Sequence, residues 1–172
     1  AMLVPGTVKL NNIDTKSKQG EAKFPEILVK TGGMLRKNSH WLQIIGFNEL
    51  MSLDLDMGDM PDVVQTLAII AAYSKGTTKI RNIKHLATKE SNRIKDTAIE
   101  LRKLGIEVED FEDELIIHGG SPHGAVIDPH DDHRMAMSFA ILGLNEQLIL
   151  YPTLQLFYQY LFLRLNQDLH NF

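Results

Sequence analysis

The 172-residue sequence has no cysteine, one tryptophan and no excess of basic residues. Without cysteine, the chain has no disulfide, no thiolate metal ligand and no cysteine nucleophile. The formal net charge of -4 argues against a nucleic-acid-binding surface. No hydrophobic run reaches the length that a membrane span needs, and the N-terminus lacks the pattern of a signal peptide. We therefore expect a folded cytoplasmic protein that binds neither nucleic acid nor membrane.

The sequence repeats itself at an interval of about 70 residues, which indicates duplication of one structural unit. Four short predicted strands form two corresponding pairs: Thr7–Ile13 with Thr77–Ile83, and Trp41–Gly46 with Glu114–Gly119. Gly32 and Gly105 hold equivalent positions in the two copies, where a glycine commonly ends a helix. Each copy therefore contains a helix between its two strands.

A second pair of segments joins a short polar-ended stretch to a strongly apolar helix. Leu53–Asp56 precedes the apolar Val63–Tyr73, and Ala125–Asp128 precedes the apolar Met135–Leu142. A helix that is apolar all round is buried on both sides. We therefore predict that both helices are central to the fold.

The complete unit is then strand, helix, strand, helix, strand, strand (βαβαββ). The sequence contains one complete copy near residues 52–119, the second half of an earlier copy near 7–46 and the start of a later copy near 125–150. Alternating strands and helices at this spacing predict an α/β (α+β) fold in which sheets pack around buried helices. No linker-like stretch interrupts residues 1–172, so we expect one globular domain. The tail, residues 151–172, diverges from the repeat and is predicted to form an amphipathic helix.

Charged residues are concentrated where helices are predicted to begin. Thr88 is predicted to cap an amphipathic helix, which places Lys89, Glu90 and Arg93 in its exposed first turns. Cations at the positive end of a helix dipole are unfavourable unless an anion binds there. The segment is therefore either an anion site or an ordinary solvated helix start.

The two apolar helices begin with a similar choice of residues. Asp62 opens one of them, where the dipole favours a carboxylate that can accept a proton from a hydroxyl. His133 and Arg134 open the other, and an arginine suits a carboxylate or phosphate ligand. Alternatively, Asp62 is only structural, and Arg134 folds back onto Asp131 or Asp132. The histidines lack the spacing of a metal site, so we predict no metal and no cofactor.

Several motifs, taken in order, resemble the 5-enolpyruvylshikimate-3-phosphate synthase family: Asp56-Met57 with Pro61-Asp62, Ile80–Ile83, Thr88–Arg93, Glu100–Gly105 and Asp132–Met137. The resemblance runs from about Val8 to Gly143. It implies a domain of repeated strand-helix units whose buried helices point their N-termini into a cleft. It also implies transfer of the enolpyruvyl group of phosphoenolpyruvate to the 5-hydroxyl of shikimate 3-phosphate, with release of phosphate.

The resemblance assigns catalytic roles to two carboxylates. Asp62 corresponds to the acid that handles the proton of the attacking hydroxyl. Glu90 corresponds to the acid beside the phosphoenolpyruvate methylene. Adding a proton to carbon and removing one from oxygen requires two such groups.

The resemblance assigns substrate binding to five further residues. Arg93 and Arg134 correspond to arginines that grip the phosphoenolpyruvate carboxylate, and His133 to the histidine beside them. Lys89 corresponds to a lysine near the shikimate hydroxyls. His85 stands where the family usually has a substrate-binding asparagine. We expect the cations among them to converge on one open face.

The sequence departs from the family pattern in three respects. Ala87 replaces a usual arginine, the motif match ends after Gly143, and the lysine-bearing final motif of the family is absent. The resemblance also covers well under half of a family member. We therefore expect the chain to be inactive without the missing N-terminal domain. The alternatives are a domain like the related UDP-N-acetylglucosamine enolpyruvyl transferase, and a non-catalytic anion-binding module.

Overall fold

The computed structural model describes residues 1–4, 6–46 and 49–143. These ranges contain the strands β1 (Gly6–Asn11), β2 (Met34–Lys37), β3 (Trp41–Gly46), β4 (Asp54–Asp56), β5 (Thr77–Arg81), β6 (Glu107–Asp110) and β7 (Glu114–His118). They also contain the helices α1 (Phe24–Lys30), α2 (Val64–Ala72), α3 (Arg93–Lys103) and α4 (His133–Leu142). Short 3-10 turns precede three of these helices: Gly20–Lys23, Pro61–Val63 and Lys84–Thr88. None of the helices in the described ranges is long and apolar enough to cross a membrane.

The strands form two sheets whose strand order and register correspond. The first sheet has the order β1-β3-β2, and the second has β5-β7-β6 with β4 added parallel to β5. Thr7 of β1 pairs with Ile45 of β3, just as Thr77 of β5 pairs with His118 of β7. These are equivalent positions of the sequence repeat. The predicted repeat is therefore confirmed at the level of topology, with β4-α2-β5-α3-β6-β7 as the complete βαβαββ unit.

Residues with a left-handed backbone recur at equivalent points of the two copies. Gly32 (φ 110°) and Gly105 (φ 81°) follow the ends of α1 and α3, as predicted. Asn12 (φ 57°) and Asn82 (φ 61°) follow β1 and β5. Glycine adopts this conformation without steric cost, and asparagine tolerates it better than most other residues. The duplication therefore extends to the turns.

Helix α2 lies at the centre of the main hydrophobic core. Eight of its nine residues are buried. Three fully buried side chains from its neighbours belong to the same core: Ile80 of β5, Leu101 of α3 and Phe139 of α4. Pro61 begins the turn that leads into α2, where the missing N–H of proline costs no helical hydrogen bond. The prediction that sheets pack around a buried helix is confirmed for α2.

Helix α4 is buried on one side only, so the prediction of a second helix buried all round is wrong. Met135 and Phe139 are fully buried, whereas Met137 is 43% and Ile141 is 39% exposed. The described residues that pack against α4, chiefly those of α2, cover only its inner face. The outer face of α4 therefore carries apolar side chains, Met137 and Ile141, that the described residues leave exposed.

The third predicted copy is only partly described. Within Ala125–Asp128, Val126 alone takes part in a β-bridge, so the strand implied by the repeat is not formed as such. Pro122 and Pro129 flank this segment, and proline cannot donate to a strand ladder. The rest of that copy and the predicted tail helix, residues 144–172, lie outside the described residues. A single domain over residues 1–172 stays a prediction.

The glycine that follows β7 allows the strand to approach the end of α2. A Cβ atom at Gly119 would lie 1.8 Å from the carbonyl oxygen of Ser74 and 2.8 Å from that of Ala71. We expect Gly119→Ala to lower the free energy of unfolding by about 2 kcal/mol or more, because backbone atoms would have to move. Gly120→Ala is the matched control, since its Cβ would meet only Ile106, at 3.6 Å. Urea unfolding compares the two variants, and equal stabilities would contradict this account of the packing.

Candidate active site

Helix α3 begins at Arg93, later than the sequence suggested. Asn92 is its N-cap, and the Asn92 side chain accepts a hydrogen bond from the backbone N–H of Lys95 at 3.1 Å. The prediction that Thr88 caps this helix is wrong, because Thr88 ends a separate 3-10 turn. Residues 89–92 therefore form a connecting loop, and not the first turn of a helix.

The guanidinium group of Arg93 is almost completely buried, with 1% of the side chain exposed. Its Nε and Nη2 donate to the carboxylate of Asp132 at 2.6 and 3.2 Å. Nη2 also donates to Glu90 at 2.7 Å, and Nη1 donates to Asp62 at 3.4 Å. A buried cation requires such acceptors, because removing its charge from water is costly. Arg93 thereby joins the loop before α3 to the starts of α2 and α4.

Asp132 is the buried acceptor at the start of α4. It is the N-cap of that helix, and its Oδ1 accepts a hydrogen bond from the backbone N–H of Arg134 at 2.8 Å. The hydroxyl of Ser91 donates to Oδ2 at 3.4 Å. Burial acts to raise the pKa of Asp132, but the hydrogen bonds from Arg93 and from the Arg134 backbone hold it below its ordinary value.

The side chain of Arg134 pairs with Asp62, and not with a neighbour in its own loop. Its Nη2 donates to Oδ2 of Asp62 at 2.6 Å, and its Nη1 donates to the carbonyl oxygen of the same residue at 3.2 Å. The fold-back onto Asp131 or Asp132 that the sequence left open is not the arrangement found. The carboxylate of Asp62 therefore accepts hydrogen bonds from two arginines, Arg93 of α3 and Arg134 of α4.

The loop that carries Asp62 is fixed by the ends of β4 and β5. The carboxylate of Asp56 accepts hydrogen bonds from the backbone N–H of Gly58 at 2.9 Å and from the side chain of Asn82 at 3.1 Å. These two hydrogen bonds, that of Gly58 foremost, lower the pKa of Asp56. Met57 is fully buried beside them. Asp62 is thus presented by a loop that is tied to the sheet.

The network of Asp62, Glu90, Arg93, Asp132 and Arg134 contains two cations and three carboxylates. The network therefore has no excess of positive charge, because each guanidinium already has an acidic partner. Asp62 and Glu90 are partly exposed, whereas Arg93 and Asp132 are not. An anion that binds here must replace a carboxylate on a guanidinium. The displaced carboxylate then becomes available as a proton acceptor.

The remaining predicted site residues lie on the surface. Lys89, His133 and His85 are exposed, and their side chains make no hydrogen bond or ion pair with another described residue. Lys89 and His133 each adjoin a member of the network in sequence, and His85 lies in the preceding 3-10 turn. Over the described ranges, no group of three or more potential ligand side chains is arranged to hold a metal ion.

Sequence reasoning missed a contact between Glu100 of α3 and His130 of the segment before α4. Glu100 is completely buried, and His130 donates to it from that segment. A signal for this contact was present, since the polar residues Arg93, Thr97 and Glu100 follow one another at helical spacing. All three are buried, so α3 has a polar stripe beside its apolar one.

The architecture is that of solved enolpyruvyl transferases. EPSP synthase from Acinetobacter baumannii superposes with a TM-score of 0.75 at 26% identity, over 90% of this chain and 39% of that chain. The enolpyruvyl transferase NikO from Streptomyces tendae superposes with a TM-score of 0.68 at 20% identity, over 88% of this chain and 35% of that chain. The second likeness concerns the fold alone. The predicted fold class, that of the enolpyruvyl transferases, is confirmed.

Sequence comparison identifies the family within that class. Residues 1–153 match the family EPSP synthase (3-phosphoshikimate 1-carboxyvinyltransferase), so the match continues past Gly143, where the motifs had suggested that it ends. The 3-phosphoshikimate 1-carboxyvinyltransferase of Syntrophobacter fumaroxidans is 41% identical over 147 residues, which are 84% of this chain and 35% of the relative. That of Methanosphaerula palustris is 42% identical over 144 residues, with 84% and 34% covered. The chain belongs to the EPSP synthase family, and it spans about a third of the length of these relatives.

The lowered pKa of Asp132 predicts a specific dependence of stability on pH. Its ionised form stabilises the fold fully above the ordinary aspartate pKa of 3.8, and this contribution is lost as the pH falls through the lowered value. Asp132→Asn should cost about 3 kcal/mol at neutral pH, because Arg93 loses its principal buried partner. The difference from wild type should shrink below about pH 4.

Urea unfolding at a series of pH values measures this difference. Asp59→Asn is the matched control, since Asp59 is an exposed aspartate whose side chain has no partner among the described residues. That substitution should change the free energy of unfolding by less than about 0.5 kcal/mol. A cost of Asp132→Asn that stays constant down to acid pH would show that the charge of Asp132 is not what stabilises the site.

Proposed function

We propose that this chain carries the phosphoenolpyruvate-facing part of an EPSP synthase site. The reaction transfers the enolpyruvyl group of phosphoenolpyruvate to the 5-hydroxyl of shikimate 3-phosphate and releases phosphate. The observation that carries the proposal is the meeting of Arg93 and Arg134, from two helix starts, on the one carboxylate of Asp62. Membership of the EPSP synthase family supports the choice of reaction.

The two arginines are suited to bind the phosphoenolpyruvate carboxylate. A guanidinium donates two parallel hydrogen bonds to a planar anion, and the start of a helix adds a favourable dipole. Arg134 is the more accessible of the two and has 29% of its side chain exposed. We expect the substrate carboxylate to take the place of Asp62 on Arg134. His133 and Lys89, which are exposed next to the network, and His85 would contact the remaining oxygen atoms of the substrates.

Asp62 and Glu90 are suited to the proton transfers. The shikimate hydroxyl must lose a proton when its oxygen attacks the enolpyruvyl carbon, and the methylene carbon must gain one. Asp62, once displaced from Arg134 by the substrate, would accept the hydroxyl proton. Glu90 would donate to the methylene carbon and take the proton back when phosphate leaves. Both carboxylates are partly exposed, so each can reach a bound substrate.

The part of the relatives that this chain does not cover would supply the other wall of the cleft. Much of the catalytic acceleration in a two-substrate reaction comes from holding both reactants in place, which one wall cannot do. We therefore expect the 172-residue chain alone to release no phosphate above background. Mixed with the uncovered segments of the Syntrophobacter fumaroxidans relative, it should release phosphate from phosphoenolpyruvate and shikimate 3-phosphate. A coupled phosphate assay measures both mixtures.

Two arginine variants of this chain, one within the network and one outside it, test whether the activity depends on the site. Arg134→Ala should lower phosphate release in the mixture by about ten- to hundredfold, the effect of losing a charge-assisted hydrogen bond to substrate. Arg36→Ala removes an exposed arginine of β2 outside the network and should leave the rate unchanged. Absence of activity in the mixture, or an Arg134→Ala rate equal to wild type, would contradict the proposal. The first result, absence of activity, would favour a module that binds anions without catalysis.

A further inference from the structure

The buried carboxylate of Glu100 joins α3 to the segment that leads into α4. Its Oε1 lies 2.8 Å from Nε2 of His130, and its Oε2 accepts a hydrogen bond from the backbone N–H of Asp128 at 3.1 Å. A carboxylate only accepts hydrogen bonds, so Nε2 of His130 is the donor. Lys103 also donates to Oε1, at 2.8 Å. Glu100 therefore uses both oxygens, and two of its three donors come from residues 128–130.

His130 holds an unfavourable backbone conformation at this point. Its φ is 52°, and that of Asp131 is 55°. Two successive non-glycine residues in the left-handed region are strained, and such strain persists only where surrounding contacts impose it. Three contacts act on His130: the bond to Glu100, the carboxylate of Asp96 at 3.8 Å from Nδ1, and a bond from its own N–H to Asp128 at 2.8 Å.

The strained pair immediately precedes the start of α4. Asp132 follows it and accepts a hydrogen bond from Arg93, which lies in the first turn of α3. Arg93 and Glu100 lie two turns apart along one side of α3, as residues at helical spacing do. One side of α3 therefore contacts both ends of the segment 128–132. Glu100 binds Asp128 and His130 at its start, and Arg93 binds Asp132 at its end.

We propose that His130 is a positioning residue for the anion site. Its hydrogen bond to Glu100 imposes the left-handed turn that aims the Asp132 carboxylate at Arg93 and places the Arg134 side chain over Asp62. The proposal rests on the proposed function for the identity of the ligand, phosphoenolpyruvate. Its structural part, the placement of Arg93 and Arg134, does not depend on that identity.

The test uses His130→Asn in the full 172-residue chain. Asparagine tolerates the left-handed backbone, but its side chain is too short to replace Nε2, so the substitution removes the bond to Glu100 without adding strain. His130→Gln is the rescue variant, because a glutamine amide reaches the position of Nε2. His118→Ala is the matched control, since it breaks another histidine–glutamate pair, His118 of β7 with Glu109 of β6 at 3.2 Å, outside the network.

NMR gives two readouts in each protein. The first is hydrogen exchange of the Arg93 Nε–H and the Arg134 backbone N–H, both of which donate to Asp132, relative to the amide of Leu115 in the core strand β7. The second is the dissociation constant for phosphoenolpyruvate. His130→Asn should speed exchange of the two reporters at least tenfold relative to Leu115, and should weaken phosphoenolpyruvate binding about fivefold or more. His130→Gln should restore most of both, and His118→Ala should change neither.

Faster exchange in His130→Asn at all three positions equally would overturn the proposal, because it would mean a general loss of stability. Unchanged exchange of the two reporters would overturn it as well. If phosphoenolpyruvate causes no shift even in wild type, the proposed function fails, and the exchange comparison still supports or overturns the positioning role of His130. Binding by wild type that His130→Asn leaves intact would retain the proposed function and overturn this inference.

Discussion

The ion pair between Arg93 and Asp132 is the interaction on which the site depends. Both side chains are removed from solvent, so each charge is tolerated only because the other is in place. Asp132 also caps α4, and Arg93 is the first residue of α3. One pair of charges therefore fixes the starts of two helices relative to each other. Glu90 and Asp62 are arranged around the outer side of that pair.

The balance of charge within the network limits its affinity for anions. The acidic side chains quench both guanidinium groups, so the described network attracts an anion less strongly than two free arginines would. The buried partner, Asp132, cannot leave Arg93 without a large penalty. The partly exposed partners, Asp62 and Glu90, can leave at lower cost. Ligand exchange is therefore directed to the carboxylates that the proposed reaction requires to be free.

The fold could be predicted from the sequence because the repeat consists of short-range sequence patterns. Strand alternation, apolar helices and the turn glycines Gly32 and Gly105 depend on short-range rules, and the observed register follows them. The site was only partly predictable. Asp62 and Arg134 were expected at helix starts, but their pairing, and that of Arg93 with Asp132, depends on how α2, α3 and α4 pack. No short-range rule gives that packing.

Short-range rules also failed where two of them competed. Thr88 and Asn92 are both residue types that favour the N-cap position of a helix. Thr88 is the last residue of the 3-10 turn, so Asn92 is the N-cap of α3. The left-handed turn at His130 was not predictable either, because its side chain contacts Asp96 and Glu100 of α3, and these are tertiary contacts. A double-mutant cycle with Arg93→Met and Asp132→Leu tests the central claim most directly. The account predicts a coupling energy in urea unfolding of about 2 kcal/mol or more, whereas single costs that add within about 0.5 kcal/mol would contradict it.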